Sequence, residues 1–297
     1  MSSVIRQDTV PPEGPEQPAG RRGSALIGRL LFDEGKLTEI DVSRVVVTQR
    51  QQNMRFGEAA EYLGLVSKED VRRALARQYD YPYLPEKSGL DSTLISAYKP
   101  FSPQAEALRE LRSQLLLRWF DEDQRKTLAV TSPRKNSGCS QLAANLAIVF
   151  AQLGERTLLI DANFRSPLQQ SLFGLGATPG LSGVLAGRAE VDEVLLGVEP
   201  FDNLTVMCAG ALPPNPQELL SRVGFRYVVE TAPAAYDVVI IDTPPILEFA
   251  DAQIIAAAAG GCLMATRRHK TRLADVSLAV ARMEPTRAVL LGTAIVG

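Results

Sequence analysis

The sequence predicts an α/β protein: a mostly parallel sheet with helices on both faces, preceded by a small all-α domain built from a repeat. Three observations lead there. Short β-rich runs alternate with helical stretches through the C-terminal two thirds of the chain, which is the pattern of a parallel sheet covered on both sides. One of those runs passes through a glycine-containing turn straight into a helix. Near the N-terminus a pattern of glycines, helix caps and acids occurs twice at an offset of 29 residues, as from Gly28 to Gly57, Gly35 to Gly64 and Gln49 to Gln78.

Composition bounds the rest. The chain has 297 residues, 45% of them apolar and 22% charged, which suits a soluble protein of two domains and excludes disorder of the whole. With 32 basic and 34 acidic side chains the formal charge is −2, so no global attraction to nucleic acid or an anionic membrane is expected. Cys139, Cys208 and Cys262 lack metal-ligand spacing, and no signal peptide opens the chain, so a reduced, cytoplasmic protein is expected. The apolar run from Ile254 falls short of the roughly 18 residues a bilayer helix needs, so any membrane association must run through a partner. His269, the one histidine, stands in the charged run Arg267-Arg268-His269-Lys270 and reads as part of a solvated loop or helix start.

In chain order, residues 1–23 are rich in Pro, Gly and charge and are expected to form a disordered tail. Residues 24–84 carry the repeat. Each copy reads as an apolar helix stopped by a glycine, then a helix capped by Thr38 or Ser67, with Asp41 or Asp70 three residues on as the reciprocal cap. The resulting helical pairs make a docking module without catalytic groups. The stretch Tyr79–Pro85 reads as a packed extension and 85–100 as a linker. Residues 101–297 form the sheet domain. After a helix around Phe101–Phe120, strands are expected at Thr127–Ser132, Arg156–Asp161, Asn203–Cys208, Asp237–Asp242, Gly261–Thr266 and Ala288–Val296.

Ligands in such sheets bind beyond the carboxyl ends of the strands. There the first strand enters the turn Ser132-Pro133-Arg134-Lys135-Asn136-Ser137-Gly138-Cys139-Ser140-Gln141, which feeds the helix Leu142–Gln152. Turn residues, a glycine and a hydroxyl at a helix N-terminus are the makings of a phosphate loop, because free N–H groups and the helix dipole both attract anions. The match to G-x-x-x-x-G-K-[ST] is partial: Gly138 and Ser140 stand, Ser132 takes the first glycine position, and Cys139 takes the lysine's. Asp161 and Asp242 close two further strands, where a carboxylate can hold Mg²⁺ or its waters beside a phosphate.

Residues 142–175 (LAANLAIVFAQLGERTLLIDANFRSPLQQSLFGL), followed by TPGLSGVLAG, GALPPNPQELL and VVIIDTPP, resemble the bacterial tyrosine kinases of capsule and exopolysaccharide systems, in the MinD/ParA-like P-loop class. The upstream FSPQAEALRELRSQLLLRWF and the repeat domain extend the resemblance to the EpsG-type chain-length-determinant tyrosine kinases. That resemblance implies an ATP site formed by Ser132, Lys135, Asn136, Ser137, Gly138, Cys139, Ser140, Gln141 and Arg165. It implies Mg²⁺ organised by Ser140, Asp161 and Asp242, catalysis by Asp161 and Asp242, and a helix with Glu106, Arg109 and Arg112 that drives homo-oligomer assembly. It further implies docking on a Wzc-like membrane chain-length determinant, which would hold this cytoplasmic protein at the inner membrane. The repeat domain resembles the N-terminal domain of type II secretion ATPases, some of which bind cyclic-di-GMP through a tandem motif beginning Arg-Leu-Gly. Arg55-Phe56-Gly57 keeps the arginine and the first copy has Leu26 in its place, so packing or protein docking is the preferred reading there and cyclic-di-GMP binding the alternative.

Four departures from the family pattern bear on activity: Cys139 for the basic residue, Asn163 for the second Walker A′ acid, Asn136-Ser137 for Gly-Glu, and Val296 for the usual adenine-contacting Asn. A neutral thiol offers one weak donor where lysine offers three charged ones, and loss of one transition-state donor costs roughly 10²–10³ in rate. Phosphoryl transfer is therefore expected to be weak or silent unless Arg134 or Lys135 compensates. The last tyrosine is Tyr236, so no autophosphorylation on a tyrosine tail is expected. Three functions follow from these residues: an active kinase, a pseudokinase scaffold, and a cyclic-di-GMP-responsive regulator.

Overall fold

The computed structural model describes residues 20–78, 82, 84, 88–120 and 125–297, and the chain separates into two compact units, 1–81 and 82–297. Tyr79, Tyr81 and Tyr83, and most of the tail, lie outside the described residues.

Among its described residues the first unit holds four helices: α1 Gly20–Asp33, α2 Glu39–Gln52, α3 Phe56–Tyr62 and α4 Lys68–Gln78. Helix α1 starts inside the stretch read as a tail. The two repeat caps form as reciprocal boxes. Thr38 Oγ1 accepts from Asp41 N (3.2 Å) while Asp41 accepts from Thr38 N (3.0 Å), and Ser67 and Asp70 repeat the arrangement at 3.1 and 3.0 Å. The hydroxyl of Ser67, seconded by Lys36, pulls the Asp70 carboxyl down to about 2. The repeated glycines have a packing reason: a Cβ on Gly28 would meet the Phe56 ring at 2.9 Å, and one on Gly57 would meet Val71 at 2.5 Å. That is the packing reading of the repeat, in which glycine lets helices touch.

The second unit is a seven-stranded sheet in the order β3-β4-β2-β5-β1-β6-β7. Its strands are β1 Thr127–Thr131, β2 Thr157–Asp161, β3 Leu195–Val198, β4 Phe201–Met207, β5 Val238–Asp242, β6 Gly261–Arg267 and β7 Val289–Val296. All pairings are parallel except β3 with β4. Edge strand β3 escapes the sequence reading because four residues with one glycine carry too little pattern. Helices in this unit run α5 Ile95–Tyr98, α6 Pro103–Leu115, α7 Cys139–Leu153, α8 Gln169–Leu172, α9 Gly180–Leu185, α10 Pro216–Leu220, α11 Val223–Thr231, α12 Asp251–Ala259 and α13 Leu273–Met283.

Strand side chains alternate between two cores. Leu128, Val130, Leu159 and Ile240 face α5 to α7 on one side, and Ala129, Leu158, Ile160 and Ile241 face α9 to α13 on the other. Helix α7 lies almost wholly inside, with nine apolar side chains from Leu142 onward and the polar Asn145 buried. Trp119, past the end of α6, donates to Thr127 O (2.9 Å) and fills the space over Gly261, where a Cβ would sit 2.4 Å from the ring.

The segment read as a linker, 85–100, is instead part of this core over its described residues. Leu94 and Ala97 are fully buried, Asn145 accepts from Ser96 N (2.9 Å) and donates to Thr93 O (3.1 Å), and Asp91 N donates to Leu172 O (2.8 Å). Its Pro, Ser and Gly residues disguise a spaced set of apolar anchors, and Asn145 satisfies the irregular backbone that those anchors bury.

Candidate functional site

The site lies where β1, β5 and β2 end side by side. Helix α7 begins at Cys139, three residues before the sequence placed it, because Gly138 takes φ +77° and turns the loop directly into the first helical turn. Leu142 N is the first to bond back, to Gly138 O at 2.9 Å. The earlier N–H groups of that turn have no intrahelical partner and form an anion-attracting rim.

Around this loop lies an open pocket of about 200 Å³, and every residue assigned to cofactor binding lines it: Ser132, Lys135, Asn136, Ser137, Gly138, Cys139, Ser140, Gln141 and Arg165. Asn163, Ser166, Leu168, Thr243, Pro245 and Arg267 complete the wall. The loop's shape is held from within. Ser137 Oγ and Ser132 Oγ both donate to Arg134 O (2.7 and 3.1 Å), and Ile246 N donates back to Ser132 O (2.9 Å).

Asp161 and Asp242 meet beneath this pocket rather than on its wall. They are register partners on adjacent parallel strands, roughly 4.8 Å apart along the sheet, and both are fully buried. Asp161 accepts three backbone N–H groups: Asn163 at 3.1 Å on one oxygen, Leu168 at 3.1 Å and Gln169 at 3.0 Å on the other. It ties the turn after β2 to the sheet. Asp242 accepts from the Ser140 hydroxyl and from Gln169 Nε2 (2.8 Å). Burial raises both carboxyls above the ordinary range, and the Asp242 charge adds to the rise at Asp161. Among the described residues neither has a cation within 4 Å.

Cys139 explains that gap. Its thiol turns inward, toward Val130 O (3.2 Å), Asp242 Oδ1 (3.6 Å) and Thr243 O (3.8 Å). Burial, reinforced by the neighbouring carboxylate, holds its pKa well above the ordinary thiol value, so it stays protonated and neutral.

Three basic residues of the rim are already engaged by acids. Arg134 Nε donates to Asp275 (3.0 Å), and Lys135 Nζ lies 3.6 Å from Glu248, whose other oxygen accepts from Lys135 N (2.9 Å). Arg165 grips the buried Asp251 through Nε (2.8 Å) and Nη2 (3.3 Å). Lys135 and Arg165 both stand over the Phe249 ring, 5.5 and 4.7 Å from its centre, a double cation–π contact. Arg134 and Lys135, the candidate compensating cations, thus point to acids outside the loop.

The predicted assembly helix is α6. Arg109 pairs with Glu106 and donates to Pro100 O, while Arg112 Nη1 donates to Val149 O (2.7 Å). Both arginines serve their own chain, and Glu106 is the exposed member at 71% against 21% for the Arg109 side chain.

Sequence reasoning missed Gln169, Glu248, Phe249, Asp251 and Arg267. Gln169 bridges Ser140 O (3.1 Å) and Asp242 and keeps a buried Oε1 without a partner. A glutamine eight residues past a strand end carries no motif. Glu248–Asp251 follow the VVIIDTPP strand by a few residues and were legible only as a helix start.

No family model matches the chain. Over 210 residues it is 36% identical to the tyrosine-protein kinase YwqD of Bacillus subtilis, spanning 71% of this chain and 88% of that protein. Over 200 residues it is 34% identical to the tyrosine-protein kinase etk of Escherichia coli, spanning 67% of this chain and 27% of that one. Among solved structures, the Escherichia coli ETK kinase domain superposes with a TM-score of 0.67 at 30% identity over 72% of this chain and 82% of that one, and the chimerical protein CapA2B2 with 0.64 at 32% over 77% and 98%. The septum site-determining protein MinD of Pyrococcus horikoshii, at 19% identity and a TM-score of 0.50, shares the fold. With this sheet order, a glycine turn over paired strand-end aspartates and these relatives, the chain belongs to the family of bacterial tyrosine-protein kinases.

Proposed function

We propose that this chain binds ATP with Mg²⁺ in the loop pocket and transfers phosphate to tyrosine only weakly, acting in exopolysaccharide chain-length control chiefly through its assembly state. The observation that carries this reading is the combination of an intact phosphate turn with a neutral, inward-facing thiol at the position of the expected cation.

The residues present fit the nucleotide. The α7 N-terminus and Gly138 provide the phosphate cradle, and the Ser140–Asp242 pair has the hydroxyl and carboxylate that P-loop sites use for Mg²⁺. When bound, the metal neutralises charge on the phosphate oxygens. Asp161 fits less well as a direct metal ligand, since backbone N–H groups occupy both its oxygens. It acts as a positioning residue that fixes the turn carrying Asn163 and Arg165. Asn163, whose Oδ1 accepts from Ser166 N (3.2 Å), supplies a neutral amide where an acid would otherwise take a proton.

The test is phosphotyrosine formation with Mg-ATP in the presence of the membrane partner's cytoplasmic segment. Cys139→Lys is expected to exceed the native chain by roughly 10²–10³; equal signals would show that the thiol does not limit transfer.

The assembly part rests on α6. Because Arg109 and Arg112 are tied to Pro100 and Val149, Glu106, paired with Arg109 yet the most exposed of the three, is the group that meets a second copy or a Wzc-like partner. Among the described residues no helix is long and apolar enough to cross a membrane, and attachment at the inner membrane through that partner belongs to the same proposal. Sedimentation of Glu106→Ala checks it: a monomer is expected, and an unchanged oligomer would remove α6 from the interface.

A further inference from the structure

We propose that Arg267 supplies the phosphate-binding cation that Cys139 withholds, gripping the phosphate chain from the lip of the pocket instead of from its floor. The inference rests on the nucleotide reading above and deepens it by naming a cation for the phosphates.

Arg267 is the last residue of β6, which runs beside β1, so its side chain emerges next to the strand end that gives rise to the phosphate turn. It lines the pocket with the turn, and its Nη1 donates to Asn136 O at 3.3 Å. The backbone beneath it is fixed: Arg267 N donates to Thr271 Oγ1 (2.8 Å), and Arg268 N donates to Val296 O (3.1 Å). Val296 in turn packs on Gly138, where a Cβ would meet it at 3.0 Å, so the strand end and the loop are registered against each other.

What separates Arg267 from the other rim cations is its company. Arg134, Lys135 and Arg165 each face a carboxylate, whereas no carboxylate among the described residues lies within 4 Å of Arg267. Among the described residues its side chain makes one hydrogen bond, a long one to the neutral carbonyl of Asn136. A guanidinium presents five N–H donors in a planar fork that matches a phosphate, so this side chain can exchange a weak neutral partner for a charged one at little cost. The three paired cations would first have to leave an acid behind.

The test is titration of the full chain with Mg-ATP, followed by heat, for the native protein, Arg267→Ala, Arg267→Lys and Arg268→Ala. Losing one charge-assisted hydrogen bond corresponds to roughly a ten- to hundredfold weaker affinity. Arg267→Ala is expected to show that loss, Arg267→Lys to recover part of it, and Arg268→Ala, which removes the same charge one residue away, to stay within threefold of native. In a Cys139→Lys background the effect of Arg267→Ala should shrink, since the floor then carries its own cation. Native-like affinity in Arg267→Ala, or an equal loss in Arg268→Ala, overturns the assignment while leaving the nucleotide reading intact. Absence of binding by the native chain overturns that reading and this one with it. Unfolding curves of each variant separate a lost ligand contact from a lost fold.

Discussion

The floor and the rim of the pocket handle charge in opposite ways. On the rim, Arg134, Lys135 and Arg165 have each found an acid, in Asp275, Glu248 and Asp251. On the floor, Asp161 and Asp242 lie fully buried, have no cation within 4 Å among the described residues, and rely on backbone N–H groups, Ser140, Gln169 and a thiol. The difference teaches where a single substitution acts. With a thiol at position 139 the loop keeps its backbone shape, which depends on Gly138 and on serine hydroxyls, yet the buried acids have only neutral donors around them. Their protonation then becomes part of folding.

The largest way to break this contrast is at the floor. Asp161→Ala leaves three backbone N–H groups of the turn after β2 without their acceptor, and we expect a loss of about 3 kcal/mol in denaturant-measured stability. Asp161→Asn keeps one acceptor oxygen and removes the repulsion from Asp242, so it should cost clearly less; equal losses would contradict the charge argument.

The pH dependence sharpens the same point. Both carboxyls titrate higher in the folded state than in the unfolded chain, where they titrate near 4, so the folded state holds more protons. Stability is then highest near or below pH 4 as far as this pair is concerned, and its contribution falls as pH rises from there through neutrality. A melting temperature that falls between pH 5 and pH 8 in the nucleotide-free native chain, and falls less steeply in protein carrying Asp161→Asn, is the signature. Cys139→Lys, by giving Asp242 a counter-charge, should flatten the native slope.

Rim substitutions should matter less. Arg165→Ala strands Asp251, which is 1% exposed, and should cost about 2 kcal/mol, less than a fully buried pair would because the arginine is 30% exposed. Lys135→Ala breaks a solvent-screened pair and should cost below about 1 kcal/mol, measured in the same unfolding series.

Much of the framework could be read from the sequence because its signals are local. The alternation of the strands, Gly138 before a helix, and the Thr38 and Ser67 caps each depend on neighbours within a few residues, and each forms as the residues dictate. What stayed hidden depends on contacts across the chain. Asn145 draws the Thr93–Ser96 backbone into the core from 49 residues away, and no composition rule for a linker anticipates that. Arg134 and Lys135 look like free loop cations until Asp275 and Glu248 arrive from distant segments. The inward turn of the Cys139 thiol follows from where β5 places Asp242, which a motif at positions 132–140 does not contain.

The account stands or falls on affinity for nucleotide at the thiol-bearing loop. Titrating a fluorescent ATP analogue with Mg²⁺ into the native chain and into Cys139→Lys measures it directly. Saturable binding by both, tighter in the lysine variant by roughly tenfold or more, is the expected result. No binding by the native chain, or identical curves for the two, would contradict it.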